Sequence, residues 1–418
     1  MRNNKKPIPA LLRLFGAFFD GTVKFNINLK NQFVLKTVFV LGVATLLTCC
    51  TPAKDPEIQK PAPVAYTPPP PSLSVQEQKK FAALATRYFD SVFRRTSFNG
   101  SILIAKNGVV VYEKYLGYKN LRVKDPLTEH TPLQIASTSK TLTSAAVLQL
   151  IQQGKMALND PVAKYIVGFP YPEITVKMLL SQRSGLPEYL YFFEKGGWDR
   201  NTFASNNDVV NALVTWQPGR AYRSNSHFDY CNTNFVLLAS LVEKVSGMTF
   251  PLYMKRNIFE PLQMNDTYVR TTSDSVQATN SYEWNGHEWQ LDFSDGTYGD
   301  KNVYSTPRDL LKWDQSLYTN QILSKQMLDS AFTPYSNEKR SLHNYGLGWR
   351  LLLYPNGKKV IYHNGRWHGF NSAFARLVDE KVTIIMLGNK FNKGVYRIAK
   401  DMYNVFGNYA TDNIHNLE

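Results

Sequence analysis

The sequence predicts an α+β domain: an antiparallel β-sheet flanked by N- and C-terminal helices, with a mainly helical lobe inserted between its strands. Three observations predict it. Strand-type runs lie near both ends of the folded part, the middle reads as short helical periodicities broken by Gly, Pro and Asn turns, and helical periodicity brackets the strands at either end. Sequence-distant strands then share one sheet, and a groove between sheet and lobe is a natural ligand site.

In chain order, a basic tail comes first. An apolar run, TVFVLGVATLLT at Thr37–Thr48, follows Lys30 and Lys36 and directly precedes Cys49 and Cys50. Its 12 residues fall short of the roughly 20 that a bilayer span needs, but suit a signal-peptide h-region behind a basic n-region. LLTCC resembles a bacterial lipoprotein signal, in which a cysteine is lipidated; Cys49 and Cys50 are both candidates, and an uncleaved signal anchor is the alternative. The stretch before Lys36 is long for an n-region, so translation is expected to start near Leu29. The expectation is an exported chain, periplasmic or at the cell surface, held to a membrane by residues 1–50. Residues 51–73, TPAKDPEIQKPAPVAYTPPPPSL, favour extended polyproline II and read as a linker to a domain at 74–418.

Phe81, Leu84, Ala85, Tyr88, Phe89 and Phe93 recur at helical spacing over Ser74–Arg94. SILIAK and VVVYEKYLG flank Asn107-Gly108, a strong hairpin signal. A helix is expected from Thr138 to Gln153, stopped by Gly154, and helical patterns recur at Val209–Val214, Asn234–Val245 and Pro307–Tyr318. Strands return at Gly348–Leu353, Lys359–His363, Ser372–Val378 and Lys381–Leu387, before a last helix at Val395–Phe406.

Composition narrows the function classes. Hydrophobic residues make up 43% of the chain and charged residues 19%, which excludes collagenous, coiled-coil and wholly disordered chains. Three cysteines exclude a disulfide scaffold, and Cys231 is expected to be a free thiol. The formal net charge of +15 would suit a nucleic-acid partner, but residues 1–74 hold nine basic and three acidic residues and so +6 of it. No basic helix or aromatic RNA-binding motif accompanies the remaining +9, so no nucleic-acid partner is expected. No His/Cys cluster has zinc spacing, and no metal or cofactor is expected.

Three short patterns could carry chemistry. Ser137-Thr138-Ser139-Lys140 opens the helix at Thr138, which puts Ser137 and Lys140 one turn apart on one face. A lysine amine there can take or hold a serine proton, and the helix terminus favours developing negative charge. The plain alternative is a helix-capping serine. A second Ser-x-x-Lys, Ser336–Lys339, lies in the polar loop YSNEKR with no apolar helix behind it. Tyr230-Cys231-Asn232 stands between a turn-rich segment and the apolar helix FVLLASLV; a surface loop tyrosine is the alternative. His363-Asn364-Gly365 ends the strand KKVIYH, and Gly365 allows a close approach of ligand or backbone.

In this order and spacing, with Tyr-x-Asn about 90 residues after Ser-x-x-Lys and His-x-Gly about 130 further on, the chain resembles the serine β-lactamase and D,D-peptidase superfamily, in particular its class C β-lactamase-like branch. Flanking segments share the resemblance, among them TVKMLLSQRSGLPE, GDKNVYSTPRDLLKW and HNGRWHGF. It implies an acyl-enzyme serine hydrolase without a metal. Ser137 would be the nucleophile, Lys140 and Tyr230 the proton-transfer group, and Asn232 a substrate-orienting group. The backbone N–H groups of Ser137 and Arg366 would form the oxyanion hole. His363 would stand where many relatives carry lysine and hold the hydrogen-bond network or a substrate carboxylate.

Three departures from the family pattern bear on the substrate, the first of them, the loss of a lysine, pointing away from efficient antibiotic hydrolysis. His-Asn-Gly replaces Lys-Thr-Gly, Asn364 stands at a threonine position that contacts substrate, and Arg366 follows the glycine where small residues are common. Arg366 is expected to contact a substrate carboxylate, its alternative being a solvent-facing arginine on an edge strand. The first expectation is a D,D-peptidase or D-amino-acid peptidase acting on a peptide or small molecule; a β-lactamase or esterase comes second, an inactive penicillin-binding-like scaffold third. Loops Pro187–Arg200 and Ser281–Asn302 are expected to line the groove with Tyr189, Tyr191, Phe192, Trp198, Trp284 and Trp289.

Overall fold

The computed structural model describes residues 73–93, 96–274 and 278–409. The apolar run at Thr37–Thr48, Cys49, Cys50 and nearly all of the proline-rich linker lie outside the described residues.

Helix α1 (Val75–Phe93) leads into strands β1 (Gly100–Lys106) and β2 (Val109–Leu116). Asn107 and Gly108 both have positive φ, +51° and +78°, as the Asn-Gly turn predicts. β3 (Tyr118–Asn120) pairs with β4 (Asp125–Pro126), and β5 (Leu133–Gln134) precedes the central helix α2 (Ser139–Gln152). The lobe follows: α3 (Val176–Leu180), α4 (Tyr189–Lys195), α5 (Asn206–Trp216), α6 (Thr233–Ser246), α7 (Phe250–Met254), β6 (Tyr268–Val269), β7 (Val303–Ser305), α8 (Pro307–Thr319) and α9 (Lys325–Ala331). The chain returns through β8 (His343–Tyr345), β9 (Arg350–Leu353), β10 (Lys359–Trp367), β11 (Phe370–Leu377) and β12 (Val382–Gly388) to α10 (Val395–Asp401) and α11 (Tyr403–Phe406).

The main sheet has seven strands in the order β2-β1-β12-β11-β10-β9-β8, antiparallel throughout. The β1–β12 pairing, Gly100 opposite Gly388 through Lys106 opposite Val382, closes the two chain ends into one sheet, as the sequence predicts. Both faces are covered. On β12, Ile385 and Leu387 join the core shared with the lobe, while Ile384 and Met386 pack under α1, α10 and α11. Burial on both faces is why VTIIMLG reads as a continuous apolar run rather than an alternating one.

Helix α2 is buried from Ser139 to Leu150 and lies between sheet and lobe. A helix buried all round has no wet face for its hydroxyls. They donate to carbonyls instead: Thr143 Oγ1 to Gly299 at 2.7 Å and Ser144 Oγ to Leu347 at 2.7 Å.

Two elements differ from the sequence reading. β10 does not stop at His363 but runs on to Trp367, paired with β11 as far as Trp367 opposite Phe370. Gly365, with no side chain to project, is what ends the apolar periodicity there. The terminal helix breaks at Met402 into α10 and α11.

Candidate active site

Ser137 sits in a 3-10 turn, Ala136–Thr138, just before α2. Ala136 is held at φ +47°, a left-handed conformation that L-residues adopt at a cost of roughly 1–2 kcal/mol. The turn is strapped to the sheet: Ser372 Oγ on β11 donates to the Ile135 carbonyl at 2.6 Å and lies 2.8 Å from Thr138 Oγ1. Neither the 3-10 turn nor α2 has a side-chain N-cap hydrogen bond, so the hydroxyl of Ser137 is not spent on capping.

Lys140, fully buried, has three polar partners. Its Nζ lies 3.1 Å from Ser137 Oγ, 2.8 Å from Asn232 Oδ1 and 2.8 Å from the backbone carbonyl of Asp300. The Tyr230 ring centroid is 5.1 Å from the same nitrogen and 4.9 Å from Arg350 Cζ. The fold thus brings together the Ser-x-x-Lys and Tyr-x-Asn patterns. Asn232 occupies the N-cap position of α6, yet its side chain makes no cap hydrogen bond and accepts from the lysine.

Gly365 presses against the serine turn. A Cβ there would lie 2.3 Å from the Ile135 carbonyl oxygen and 2.8 Å from Ser137 N. Its own carbonyl accepts from Tyr396 Oη on α10 at 2.9 Å. His363 is fully buried; Nδ1 donates to the Asn364 carbonyl at 2.7 Å, and Nε2 faces Tyr345 Oη at 3.4 Å. Burial, with Arg350 and then Lys140 nearby, holds the imidazole well below its ordinary pKa. A neutral ring with both nitrogens engaged belongs to the hydrogen-bond network and has no charge to offer a carboxylate. Asn364 is half-buried, and Arg366 is exposed with its guanidinium 5.1 Å from the Phe391 ring centroid.

Several contributors were illegible in the sequence. Glu188 Oε2 accepts the Asn232 amide at 2.7 Å. Asp300 pairs with Lys301 at 3.2 Å, both side chains 3% exposed, and Lys301 Nζ lies 4.6 Å from the Trp367 ring centroid. Buried Asp295 receives Trp367 Nε1 at 2.8 Å and faces His368 Nε2 at 2.9 Å, which fixes the turn after β10. Apart from the adjacent Asp300 and Lys301, these are long-range pairings. Asp292, Asp295 and His368 bring possible metal-ligating atoms within 4.8 Å of one another, but hydrogen bonds from Ser294, Trp367 and the Asp292 amide already engage their oxygens.

The expected groove aromatics divide. Tyr189 and Phe192 are buried in the core because α4 turns them inward, and Trp198, past the end of α4, packs against that core; Tyr191 and Trp284 are exposed. The second Ser-x-x-Lys is structural: Ser336 Oγ donates to Asn344 Oδ1 at 3.0 Å and accepts the Tyr345 amide at 2.9 Å. Cys231 is a free, buried thiol whose pKa burial pushes up.

A family model described as Beta-lactamase matches residues 89–407. The chain belongs to the β-lactamase family. Within this family of serine hydrolases it is 32% identical over 328 residues to a penicillin-binding protein of Bacillus subtilis (strain 168), covering 74% of this chain and 72% of that protein. A penicillin-binding protein from Bacillus halodurans has the same fold, with a TM-score of 0.67 at 22% identity over 76% of this chain and 98% of that one. So does the D-amino acid amidase from Ochrobactrum anthropi SV3, with a TM-score of 0.62 at 23% identity over 76% and 98%.

Proposed function

We propose that the protein is an exported serine hydrolase that forms an acyl-enzyme on Ser137 and acts on peptides with a D-residue and a free carboxylate, in the manner of a D,D-peptidase. The observation that carries this reading is the three-way contact of Lys140. Asn232 Oδ1 and the Asp300 carbonyl can only accept, so once the amine is deprotonated for the reaction its two N–H bonds go to them and its lone pair turns to Ser137. The serine proton then has one place to go. Oγ attacks the substrate carbonyl, the oxyanion forms near the Ser137 and Arg366 amides, and the proton passes by way of Lys140 and Tyr230 to the leaving group. Water releases the acyl group.

Carboxylate recognition is the finer part of the reading. His363 is unsuited to it, but Arg350 stands over the Tyr230 ring with no carboxylate within 4 Å among the described residues. Arg366 is the second cation at the strand edge. A D-amino acid amidase or esterase activity is the alternative within the family. Steady-state assays with a D-alanyl-D-alanine-terminated peptide, the same peptide amidated, a p-nitrophenyl ester and a cephalosporin test the ranking. The carboxylate peptide is expected to give the highest kcat/KM. Equal rates for the amidated peptide would contradict the carboxylate reading.

A further inference from the structure

One acidic side chain stands directly behind the lysine's partner. Glu188 leads into α4, yet as the N-cap residue it makes no capping hydrogen bond. Its Oε2 accepts the Asn232 amide at 2.7 Å, and Asn232 Oδ1 in turn accepts from Lys140 Nζ at 2.8 Å. Its Oε1 is sealed from solvent with no hydrogen-bond partner among the described residues. A bare carboxylate oxygen in such a place is costly unless a cation balances it or a proton neutralises it.

The charged and titratable groups around the carboxyl are Lys140 from α2, Asp300 from the loop before β7, and its neighbours Tyr189 and Cys231. Asp300 is already paired with Lys301. Lys140 has no carboxylate in ion-pair contact among the described residues, so the ammonium it becomes on taking the serine proton is the charge left for Glu188 to balance.

We infer that Glu188 is a positioning residue for acylation: it holds Asn232, and through it the Nζ of Lys140, and it supplies the negative charge that balances the ammonium formed when Ser137 gives up its proton. The inference rests on the Ser137–Lys140 reading above. In that step the Ser137 O–H bond breaks and its proton binds the Nζ lone pair. The freed Oγ electron pair makes the bond to the substrate carbonyl carbon, and the carbonyl π pair moves onto oxygen. No proton leaves Glu188; its carboxylate gains an ammonium neighbour. Burial pushes the Glu188 pKa up, opposed by the Asn232 amide, while Asp300 adds to the rise and the Lys140 charge and the Leu190 amide oppose it, so charge on Glu188 is favoured by charge on the lysine.

The test is the first-turnover burst of p-nitrophenolate from a p-nitrophenyl ester, followed across pH in the wild-type protein and in Glu188→Gln, Glu188→Asp and Glu188→Ala. Gln keeps an acceptor for the Asn232 amide and removes the charge. The Gln variant is expected to melt with wild type and to acylate about tenfold or more slowly, with the acid limb of its pH profile displaced. Added formate is expected to restore part of the loss in the Ala variant, and Asp to retain more activity than Ala. If the Gln variant does not fold, the Asp-against-Ala comparison and formate rescue decide: absence of both overturns the inference. A folded Gln variant with the wild-type rate and profile overturns it while leaving the hydrolase reading intact. No burst from the wild-type protein overturns that reading and this inference with it.

Discussion

Lys140 Nζ lies 3.1 Å from Ser137 Oγ and 2.8 Å from each of two carbonyl oxygens that can only accept. The serine is therefore the one partner of the amine that can exchange a proton with it. Lys140→Met keeps the buried volume and removes the amine. It is expected to lower the acylation rate roughly a hundred- to ten-thousand-fold while the protein still folds. Lys140→Arg is not expected to rescue, because a guanidinium cannot give up its proton. Burst kinetics with thermal melting of each variant checks both statements.

Gly365→Ala places a methyl 2.3 Å from the Ile135 carbonyl oxygen and 2.8 Å from Ser137 N, both backbone atoms with no rotamer to yield. The expected loss is about 1–3 kcal/mol of stability. A larger fractional loss of acylation is expected as well, since the displaced atoms carry the nucleophile. Denaturant melts and burst amplitude measure the two effects separately.

The positions of these residues show what the sequence could disclose. The Asn107-Gly108 hairpin, the apolar β12 strand and the α2 periodicity are local signals, and each element formed where its own residues called for it. Ser137 and Lys140 are close in sequence, so helix geometry alone sets them on one face. Glu188, Asp300 and Arg350 reach the same place through packing between elements far apart in the chain, and no spacing marks them. The apolar run of KKVIYH ends at His363 in the sequence, and ladder pairing with β11 carries the strand past it to Trp367.

Asp314 and Arg376 form a buried ion pair between α8 and β11, at 2.5 Å, with Thr383 Oγ1 also on Asp314 at 2.5 Å. Asp314→Ala leaves a buried guanidinium unpaired and is expected to destabilise by about 3–5 kcal/mol. The double variant Asp314→Leu, Arg376→Met is expected to recover most of that loss. Urea melts of the single and double variants check it.

His363 titrates further down in the folded chain than in the unfolded one, where an imidazole has a pKa of about 6.5. Below that value the unfolded state binds the proton and the folded state does not. The stability that neutral His363 contributes is thus complete above about pH 6.5 and is lost as pH falls toward the folded-state value. Melting temperature is expected to fall with acidification below that point in the wild-type protein, and less steeply in His363→Gln.

Arg350→Ala is expected to raise KM for a peptide with a free C-terminal carboxylate about tenfold or more, and to leave KM for the amidated peptide little changed. Steady-state kinetics on the peptide pair makes the comparison.

The central claim is that Ser137 becomes covalently acylated. Intact-protein mass spectrometry after incubation with a fluorescent penicillin or a fluorophosphonate, followed by peptide mapping, tests it most directly. One adduct is expected, carried by Ser137 and absent from Ser137→Ala. An adduct on another residue, or no adduct from either reagent on folded protein, would contradict it.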